Sequence, residues 1–422
     1  MTAATTVAPA RSRVDVAGAV AAQFSQAAGS FLLQVLAARL LGKEGLAVFA
    51  VLSGLVVLAT AVVSGFVGDS LTVLDRSVTA VRAGLQWWLV TLSTGVALIA
   101  SLGLWGSDYL TPWEALVFGL SGAAFVAEDS FRRLLMATMR FWAIVVVDLV
   151  SLIGSVGVVA VVHATSEVTL ATLLEGLLVG QVAAMAVAIV LLPPSDRWWA
   201  RGTTPDRGHV FRYGKWRALQ VSVRPAMLAV MRVIVVAGVG RAAYGELEGA
   251  RLFVAPATLA VNGASSYLFA RFARTKDVAT SKLLRQSDRG VVVLATASLG
   301  LGVIAALLVP SLGSAMVGDD FDLDRWGVFG WAVLAAATAA ATPYGVLAAV
   351  RGRQGATLLV RLTDAVCSLV GVAIAMQLDW SETSVPYVLA ASAFLGGIGI
   401  RVLIVADMKA KRVPEHHGVG SA

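Results

Sequence analysis

The sequence is short of cysteine and histidine, and each shortage removes a class of protein. The single cysteine, Cys367, stands in an apolar run, so no intramolecular disulfide can form and a disulfide-stabilised fold is excluded. The four histidines all fall in predicted loops or the C-terminal tail, and none belongs to a metal-binding motif. We therefore expect neither a metal site nor a cofactor.

Charge is also scarce, which excludes an ordinary soluble domain. Only 14% of the 422 residues are charged, 58% are hydrophobic and the mean hydropathy is +0.81. A soluble protein has roughly 25% charged residues. Because the deficit extends along the whole chain, it indicates a polytopic membrane protein. The net charge of +7 is better explained by membrane topology than by nucleic acid, which we do not expect as a partner.

Twelve apolar runs are long enough, at about 20 residues, to cross a bilayer as helices. They are residues 16–41, 46–68, 83–105, 113–135, 141–162, 170–192, 218–240, 249–270, 289–310, 326–350, 356–378 and 384–406. Helices are required because a lipid-exposed segment must satisfy its own backbone hydrogen bonds. The predicted fold class is an all-α polytopic membrane protein with twelve transmembrane helices.

Cations concentrate in the tails and in the even-numbered connections, whereas the odd-numbered connections are nearly free of cations and carry acids instead. The sixth connection alone, residues 193–217, contains Arg197, Arg201, Arg207, Arg212, Lys215 and Arg217. The positive-inside rule therefore predicts a protein of the cytoplasmic membrane with both termini cytoplasmic. The polar N-terminal stretch lacks the apolar core and cleavage site of a signal peptide, so we expect it to be a cytoplasmic tail.

The second half of the chain repeats the first at an offset of 198 residues, at which Gly42 aligns with Gly240 and Lys43 with Arg241. Six helices in each copy make the copies parallel repeats, as in some transporters. The predicted organisation is a cytoplasmic tail (1–15), an N-lobe of helices one to six (16–192), a cytoplasmic linker (193–217), a C-lobe of helices seven to twelve (218–406) and a second cytoplasmic tail (407–422).

Two arginines, Arg224 and Arg232, lie inside the seventh predicted span. An arginine at the centre of a membrane helix costs about 2.5 to 3.5 kcal/mol on insertion scales. Their spacing of eight residues is about 80° around a helix, so they share a broad face. Either each reaches an interface or pairs with an acid such as Asp148 or Asp364, or both face a water-filled cavity and attract an anion.

Polar stripes on two other spans are also consistent with a cavity. In the first span Gln23, Gln26, Ser30 and Gln34 share a face, which Arg39 extends, and the eighth span offers Asn262. Such stripes can instead be interhelical hydrogen bonds worth about 0.6 kcal/mol each. The predicted substrate-binding residues are Arg224, Arg232, Arg39, Gln23, Gln26, Gln34 and Asn262.

Charged residues elsewhere in the spans suggest either ion coupling or structural pairing. Arg361 and Asp364 are three residues apart in the eleventh span, close enough to form an ion pair. Alternatively, Asp364 or Asp148 couples transport to a proton or another ion. The acidic connection DDFDLD, residues 319–324, lacks the glycine and the final glutamate of a calcium loop, so we predict a solvated outer loop. No catalytic motif is found, and we expect no enzyme.

The run FSQAAGSFLLQVLAARLLGKEGLAVFAV, residues 24–51, resembles the opening of polysaccharide-biosynthesis flippases of the O-antigen type. These belong to the multidrug/oligosaccharidyl-lipid/polysaccharide (MOP) exporter superfamily. The segments Gly240-x-x-x-Tyr244-Gly245 and MVGDDFD (316–322) are similar to the family as well. The resemblance implies two six-helix lobes around a cavity and a lipid-linked oligosaccharide as substrate. Lipid II flippases of the superfamily have two helices more than the twelve predicted here. Drug and cation antiporters of the superfamily use acidic residues in their N-terminal half, for which we identify only Asp148 and Glu175 in the first-half spans.

We therefore predict a transporter that flips a polyprenyl-diphosphate-linked oligosaccharide by alternating access for surface or exopolysaccharide synthesis. Its expected partners are this anionic glycan lipid, membrane lipids, and the polysaccharide polymerase and glycosyltransferases of the same route. A drug or cation antiporter of the superfamily is the first alternative, and it would require acids rather than arginines in the cavity. A polytopic polymerase or glycosyltransferase is the second, and the short, cation-poor outer connections count against it.

Overall fold

The computed structural model describes residues 9–197, 200, 202–274, 280–350 and 354–410, and every regular element among them is helical. In chain order these are α1 (Pro9–Val63), a π-helical turn (Ser64–Gly68), α2 (Asp69–Val73), α3 (Thr79–Gly106), α4 (Pro112–Ala137), α5 (Phe141–His163), α6 (Leu170–Leu191), α7 (Pro194–Arg197), α8 (Arg207–Arg274), α9 (Thr280–Val317), α10 (Arg325–Val350), α11 (Gln354–Gln377), a 3-10 turn (Glu382–Ser384) and α12 (Val385–Ala410). The predicted all-α membrane fold class is confirmed.

The long helices agree with the predicted spans. Within the described residues, nine helices are long and apolar enough to cross a membrane. Two of them, α1 and α8, each contain two predicted spans, so the nine helices account for eleven. The remaining span, the fourth, is α4, which contains several charged residues and is not among the nine. The described helices are therefore consistent with twelve spans.

The first crossing ends and the second begins at Gly42, inside α1. Gly42 has φ 66° and ψ −171°, which breaks the helix. Before this point Ala22 shares a core cluster with Leu134, near the end of α4, whereas after it Leu52 shares one with Phe118, near the start of α4. The chain therefore runs along α4 towards its start and turns at Gly42.

The same break recurs in α8 at Gly240, where φ is 86° and ψ is 173°. Such positive φ values favour glycine, which has no Cβ to clash with the backbone. Gly42 and Gly240 are the two residues that the offset of 198 aligns. Equal backbone geometry at the two aligned positions is what an internal duplication predicts.

The break at Gly42 is held by the connection between α9 and α10. The carboxylate of Asp320 accepts a hydrogen bond from the backbone N–H of Lys43 at 3.1 Å, and Arg39 Nε donates to the carbonyl of Met316 at 3.3 Å. Asp320 thereby caps the helix that follows Gly42, as a carboxylate at a helix N-terminus does. The acidic connection is exposed, as expected of a solvated loop, and it has this capping role in addition.

Close packing of small residues brings helices together within the first part of the chain. Gly119 of α4 packs against Ser101 of α3, and Gly180 of α6 packs against Gly154 of α5. Lipid tails are as apolar as the helices, so membrane helices associate through such close contacts rather than through the hydrophobic effect. This packing positions α4, α5 and α6 around the charged residues described below.

The chain separates into two compact units. One runs up to Arg232 and includes Met316–Asp320, and the other comprises Val233–Ala315 and the chain from Phe321. The division therefore lies within α8 and inside the seventh predicted span, whereas we expected a boundary at the linker. The predicted boundaries of tails, lobes and linker remain a prediction.

Alanine substitutions at three glycines should separate backbone strain from crowding. Gly42→Ala should destabilise the protein most, because an alanine there is strained at positive φ and meets the carboxylate of Asp320. Gly240→Ala should cost only the strain, about 1 to 3 kcal/mol, since no described atom lies within 4 Å of a Cβ at that position. Gly95→Ala, in an open helical position, should stabilise the protein by up to about 1 kcal/mol.

The measurement is unfolding of the purified protein in detergent, with the three variants and the wild type compared at one temperature. Equal losses for Gly42→Ala and Gly240→Ala would contradict the contact between Gly42 and Asp320.

Candidate functional site

Four charged side chains are buried together inside the first unit, and we call them the charge cluster. They are Glu128, Asp129 and Arg132 on α4 and Asp148 on α5. Glu128, Asp129 and Arg132 are 4%, 5% and 4% exposed. Arg132 is five residues before the last residue of α4, about 7.5 Å along the helix, so the cluster lies towards the predicted cytoplasmic end.

Arg132 is the cation at the centre of the cluster. Its Nε donates to Asp148 Oδ1 at 2.7 Å and its Nη2 donates to Asp148 Oδ2 at 3.2 Å, the bidentate arrangement that suits a guanidinium and a carboxylate. Ser25 of α1 donates its hydroxyl to Asp148 Oδ2 at 2.5 Å. Arg132 Nη1 also lies 3.5 Å from Asp129 Oδ1. One guanidinium therefore joins α4 to α5, and Asp148 joins both to α1.

Asp129 connects the cluster to a second line of charges. It accepts hydrogen bonds from Ser64, in the π-helical turn, at 2.8 Å and from Arg133 Nε at 3.1 Å. Arg133 Nη1 reaches Asp69 at 3.1 Å, and Asp69 also pairs with Arg217 of α8. Alternating charges thus extend from the cluster to the first turns of α8. Single-turn π-helical segments are frequent at functional sites.

Glu128 is the least satisfied member of the cluster. Its Oε1 lies 3.7 Å from Arg132 Nε, beyond hydrogen-bond distance, and accepts no hydrogen bond from any described residue. It borders a cavity of about 50 Å³ whose polar lining includes Gln26, Ser151 and Gln181. Such a polar cavity is large enough to hold water. The cluster contains three carboxylates and one guanidinium, and Arg133 supplies a second cation at Asp129.

The polar stripe predicted on the first span reaches this cavity at some positions only. Gln26 and Ser30 line it, which brings Gln26 close to Asp148. Gln34 instead donates to the carbonyl of Ser30 in its own helix at 3.3 Å, and Gln23 is exposed. Gln23 and Gln34 are absent from the cavity lining.

The two arginines of α8 lie in different surroundings. Arg224 is exposed, whereas Arg232 is partly buried with its guanidinium across Gly54 of α1. A side chain at Gly54 would collide with that guanidinium. Asp148, which we considered as a counter-ion for these arginines, is engaged by Arg132 and Ser25.

The predicted residues of the second unit have their own contacts. Asp364 Oδ1 accepts a hydrogen bond from the Ser392 hydroxyl at 2.7 Å, and Arg361, which is exposed, reaches towards Gly345 of α10. Pairing of Arg361 with Asp364 remains a prediction. Asn262 lies outside the residues whose side chains the structure describes.

Glu128, Asp129 and Arg132 were missed in the sequence analysis, although all three stand in the fourth predicted span. The fourth predicted span ends at residue 135, but α4 continues to Ala137 and buries Arg132. The run EDSFRR, residues 128–133, pairs acid with arginine at a spacing of four, which places the partners on one helix face. Ionisable residues inside a membrane span are functional candidates by default, so the run could have been recognised.

No protein-family model and no curated protein matches the sequence. Solved structures match along nearly the whole chain. The inward-facing structure of a multidrug resistance MATE family transporter of the MOP superfamily has a TM-score of 0.72 at 10% identity, covering 92% of this chain and 96% of that one. The lipid II flippase MurJ, in an inward closed conformation, has a TM-score of 0.68 at 12% identity, covering 93% and 87%.

A MOP superfamily transporter from Pyrococcus furiosus also matches, with a TM-score of 0.62 at 11% identity, covering 94% of this chain and 96% of that one. The chain therefore has the fold of the MOP superfamily transporters. At these identities the likeness establishes the fold. The structures that share it are transporters and flippases rather than enzymes.

Removing the central cation should destabilise the protein, whereas neutralising Glu128 should not. Arg132→Gln leaves buried carboxylates without their guanidinium, which typically costs 3 to 5 kcal/mol. Glu128→Gln keeps the shape of the side chain and removes an acid that is in excess, so unfolding in detergent should be unchanged or shifted upward.

Arg140→Gln is the matched control, because Arg140 is exposed and its Nη1 donates to the backbone carbonyl of Leu191 rather than to a buried carboxylate. It should change stability by less than about 1 kcal/mol. If Arg132→Gln were as stable as Arg140→Gln, Arg132 would not hold α4, α5 and α1 together.

Proposed function

We propose that this protein is a transporter that flips a lipid-linked oligosaccharide of the polyprenyl diphosphate type across the cytoplasmic membrane. The substrate would serve surface or exopolysaccharide synthesis, and the polymerase and glycosyltransferases of that route would be its functional partners. Transport would proceed by alternating access, without chemistry on the substrate. The fold supports a transporter, and a lipid II flippase is among the structures that share it.

The observation that carries the proposal is the pair of arginines in the membrane-crossing part of α8. Arg224 is exposed and Arg232 partly so, although both stand in an apolar run. Keeping two permanent cations at such positions is costly, and a guanidinium binds phosphate oxygens in a bidentate geometry that lysine cannot reproduce. Hydrogen bonds from both guanidinium groups to a diphosphate headgroup would offset part of that free-energy cost.

The polar groups on α1 would serve the glycan part of the substrate. Gln23 is exposed and Gln34 is partly buried on the same stretch of helix as Gln26, and Arg39, which is exposed, stands nearer to Gly42. Amides donate and accept hydrogen bonds, as sugar hydroxyls do. Asn262 would contribute in the same way from the second part of α8.

Coupling to an ion would involve the buried acids. Asp148 is held by Arg132, and the neighbouring Glu128 has a carboxylate oxygen without a hydrogen-bond donor among the described residues. A proton on this pair of acids would reduce the excess negative charge. In the second unit, Arg361 and Asp364 are the corresponding candidates.

Replacing the α8 arginines should slow flipping. Each charge-assisted hydrogen bond to a phosphate contributes about 1.5 to 3 kcal/mol, so Arg224→Gln and Arg232→Gln should each lower the rate by roughly tenfold to a hundredfold. The assay is flipping of a polyprenyl-diphosphate oligosaccharide in proteoliposomes, scored by access of an added glycosidase. Arg285→Gln, an exposed cation of α9, is the control, and wild-type rates in both α8 variants would refute the role.

A drug or cation antiporter is the second candidate, and the charge cluster is the observation that favours it. An antiporter would depend on Glu128 and Asp148, whereas the arginines of α8 would be dispensable. Drug sensitivity should be compared in cells that lack their own exporters, with wild type, Glu128→Gln and the double variant Arg224→Gln/Arg232→Gln at equal membrane levels. The flippase proposal expects no protection from any of them. Protection by wild type and by the double variant, lost in Glu128→Gln, would establish the antiporter instead.

A further inference from the structure

The first turns of α8 form a basic segment, residues 207–219, immediately before the apolar run. The stretch RGHVFRYGKWR, residues 207–217, contains four cations and no acid. The transport proposal assigns this segment no role. It lies in the first unit, at the predicted cytoplasmic side of the membrane.

One face of the basic segment packs against the protein. Val210 and Ala218 are buried, 0% and 8% exposed, in a core cluster with Phe66 and Leu85. Gly214 packs directly against Phe66, where a Cβ would have no room. Val210, Gly214 and Ala218 follow one another at a spacing of four, so they form a single stripe along the helix.

The segment is fixed firmly to α3. The carboxylate of Asp206 caps it by accepting from the backbone N–H of His209 at 3.0 Å, and the backbone N–H of Asp206 donates to the carbonyl of Ala80 at 2.9 Å. Trp88 Nε1 donates to the carbonyl of Arg207 at 3.1 Å. The opposite face is therefore held in a defined orientation.

That opposite face combines cations with large apolar side chains. Its members are Arg212 and Lys215, which are exposed, Trp216 (61% exposed) and Leu219 (47% exposed), with Phe211 (42% exposed) at its edge, where the ring also stacks on Trp88. They span roughly 140° of the helix at 100° per residue. The Lys215 ammonium lies 5.4 Å from the ring centre of Phe211 and 5.5 Å from that of Trp216.

We propose that this face binds an anionic phospholipid of the cytoplasmic leaflet. Arg212 and Lys215 supply the charge that attracts an anionic headgroup, and such leaflets attract basic residues beside a membrane span. Trp216, Phe211 and Leu219 supply apolar surface at the level where tryptophan prefers to lie, between headgroups and acyl chains. An acidic protein would match the charges but not these apolar side chains at the point where the span begins.

The test measures lipid binding to the full-length detergent-solubilised protein. Native mass spectrometry detects the bound lipid as phosphatidylglycerol or phosphatidylcholine is titrated. Each basic residue near an anionic surface raises the affinity for anionic lipid about fivefold. Because Arg212→Gln/Lys215→Gln removes two such residues, this variant should bind phosphatidylglycerol roughly 30-fold more weakly. Its binding of phosphatidylcholine should be unchanged. Added salt should reduce the preference of the wild type for phosphatidylglycerol.

Two further variants keep the result interpretable. Lys282→Gln/Arg285→Gln removes two exposed cations of α9 and should leave the preference intact. Trp216→Ala should weaken binding of both lipids alike, because it removes apolar contact but no charge. Wild-type affinity of Arg212→Gln/Lys215→Gln for phosphatidylglycerol would overturn the proposal, as would an equal loss in the α9 variant. Binding of a polyglutamate peptide to the wild type, with no preference between the lipids, would overturn it in favour of a protein partner.

Discussion

A guanidinium buried among apolar helices requires carboxylates within hydrogen-bond reach, because its desolvation costs several kcal/mol. Arg132 meets this requirement with Asp148 of α5, and Asp148 in turn bonds Ser25 of α1. Three crossings of the first unit are therefore positioned by one cation. Glycines at helix contacts, such as Gly180 against Gly154, let α5 and α6 come close enough to surround the same small cavity. The ion pair between Arg132 and Asp148 therefore depends on the close packing of these helices, and the packing depends on the ion pair.

The charges also connect places that are far apart in the sequence. Asp69 joins Arg133 of α4 to Arg217, where α8 approaches the membrane. The residues proposed to bind the diphosphate lie further along the same helix α8. A change of protonation in the cluster and a movement of α8 would therefore act on one set of ion pairs. Substrate binding by the arginines of α8 and ion coupling by the charge cluster would therefore both involve the ion pairs of the first unit.

Hydropathy predicted the helices well because a membrane span has a required length and apolarity. The fifth span was expected at 141–162 and α5 is Phe141–His163. The ninth was expected at 289–310, but α9 is Thr280–Val317. The helix continues beyond the apolar run, and hydropathy alone does not predict where a helix ends outside the lipid. The charge cluster was missed because apolar neighbours hide EDSFRR in a hydropathy average. Asp148 was recognised without its partner, since the contact with Arg132 depends on how α4 packs on α5.

The reversal at Gly42 is made with almost no connecting chain, and the aligned break at Gly240 likewise interrupts α8 at a single residue. A hairpin without a loop offers no residues that can be lengthened, exchanged or decorated without breaking the helices on either side. Loop variation on the predicted outer face would therefore fall on other connections, such as the one between α9 and α10. Within that connection Asp320 is already committed to the backbone of Lys43. The predicted outer surface near Gly42 thus has little freedom to diversify, and an epitope tag inserted there would be poorly tolerated.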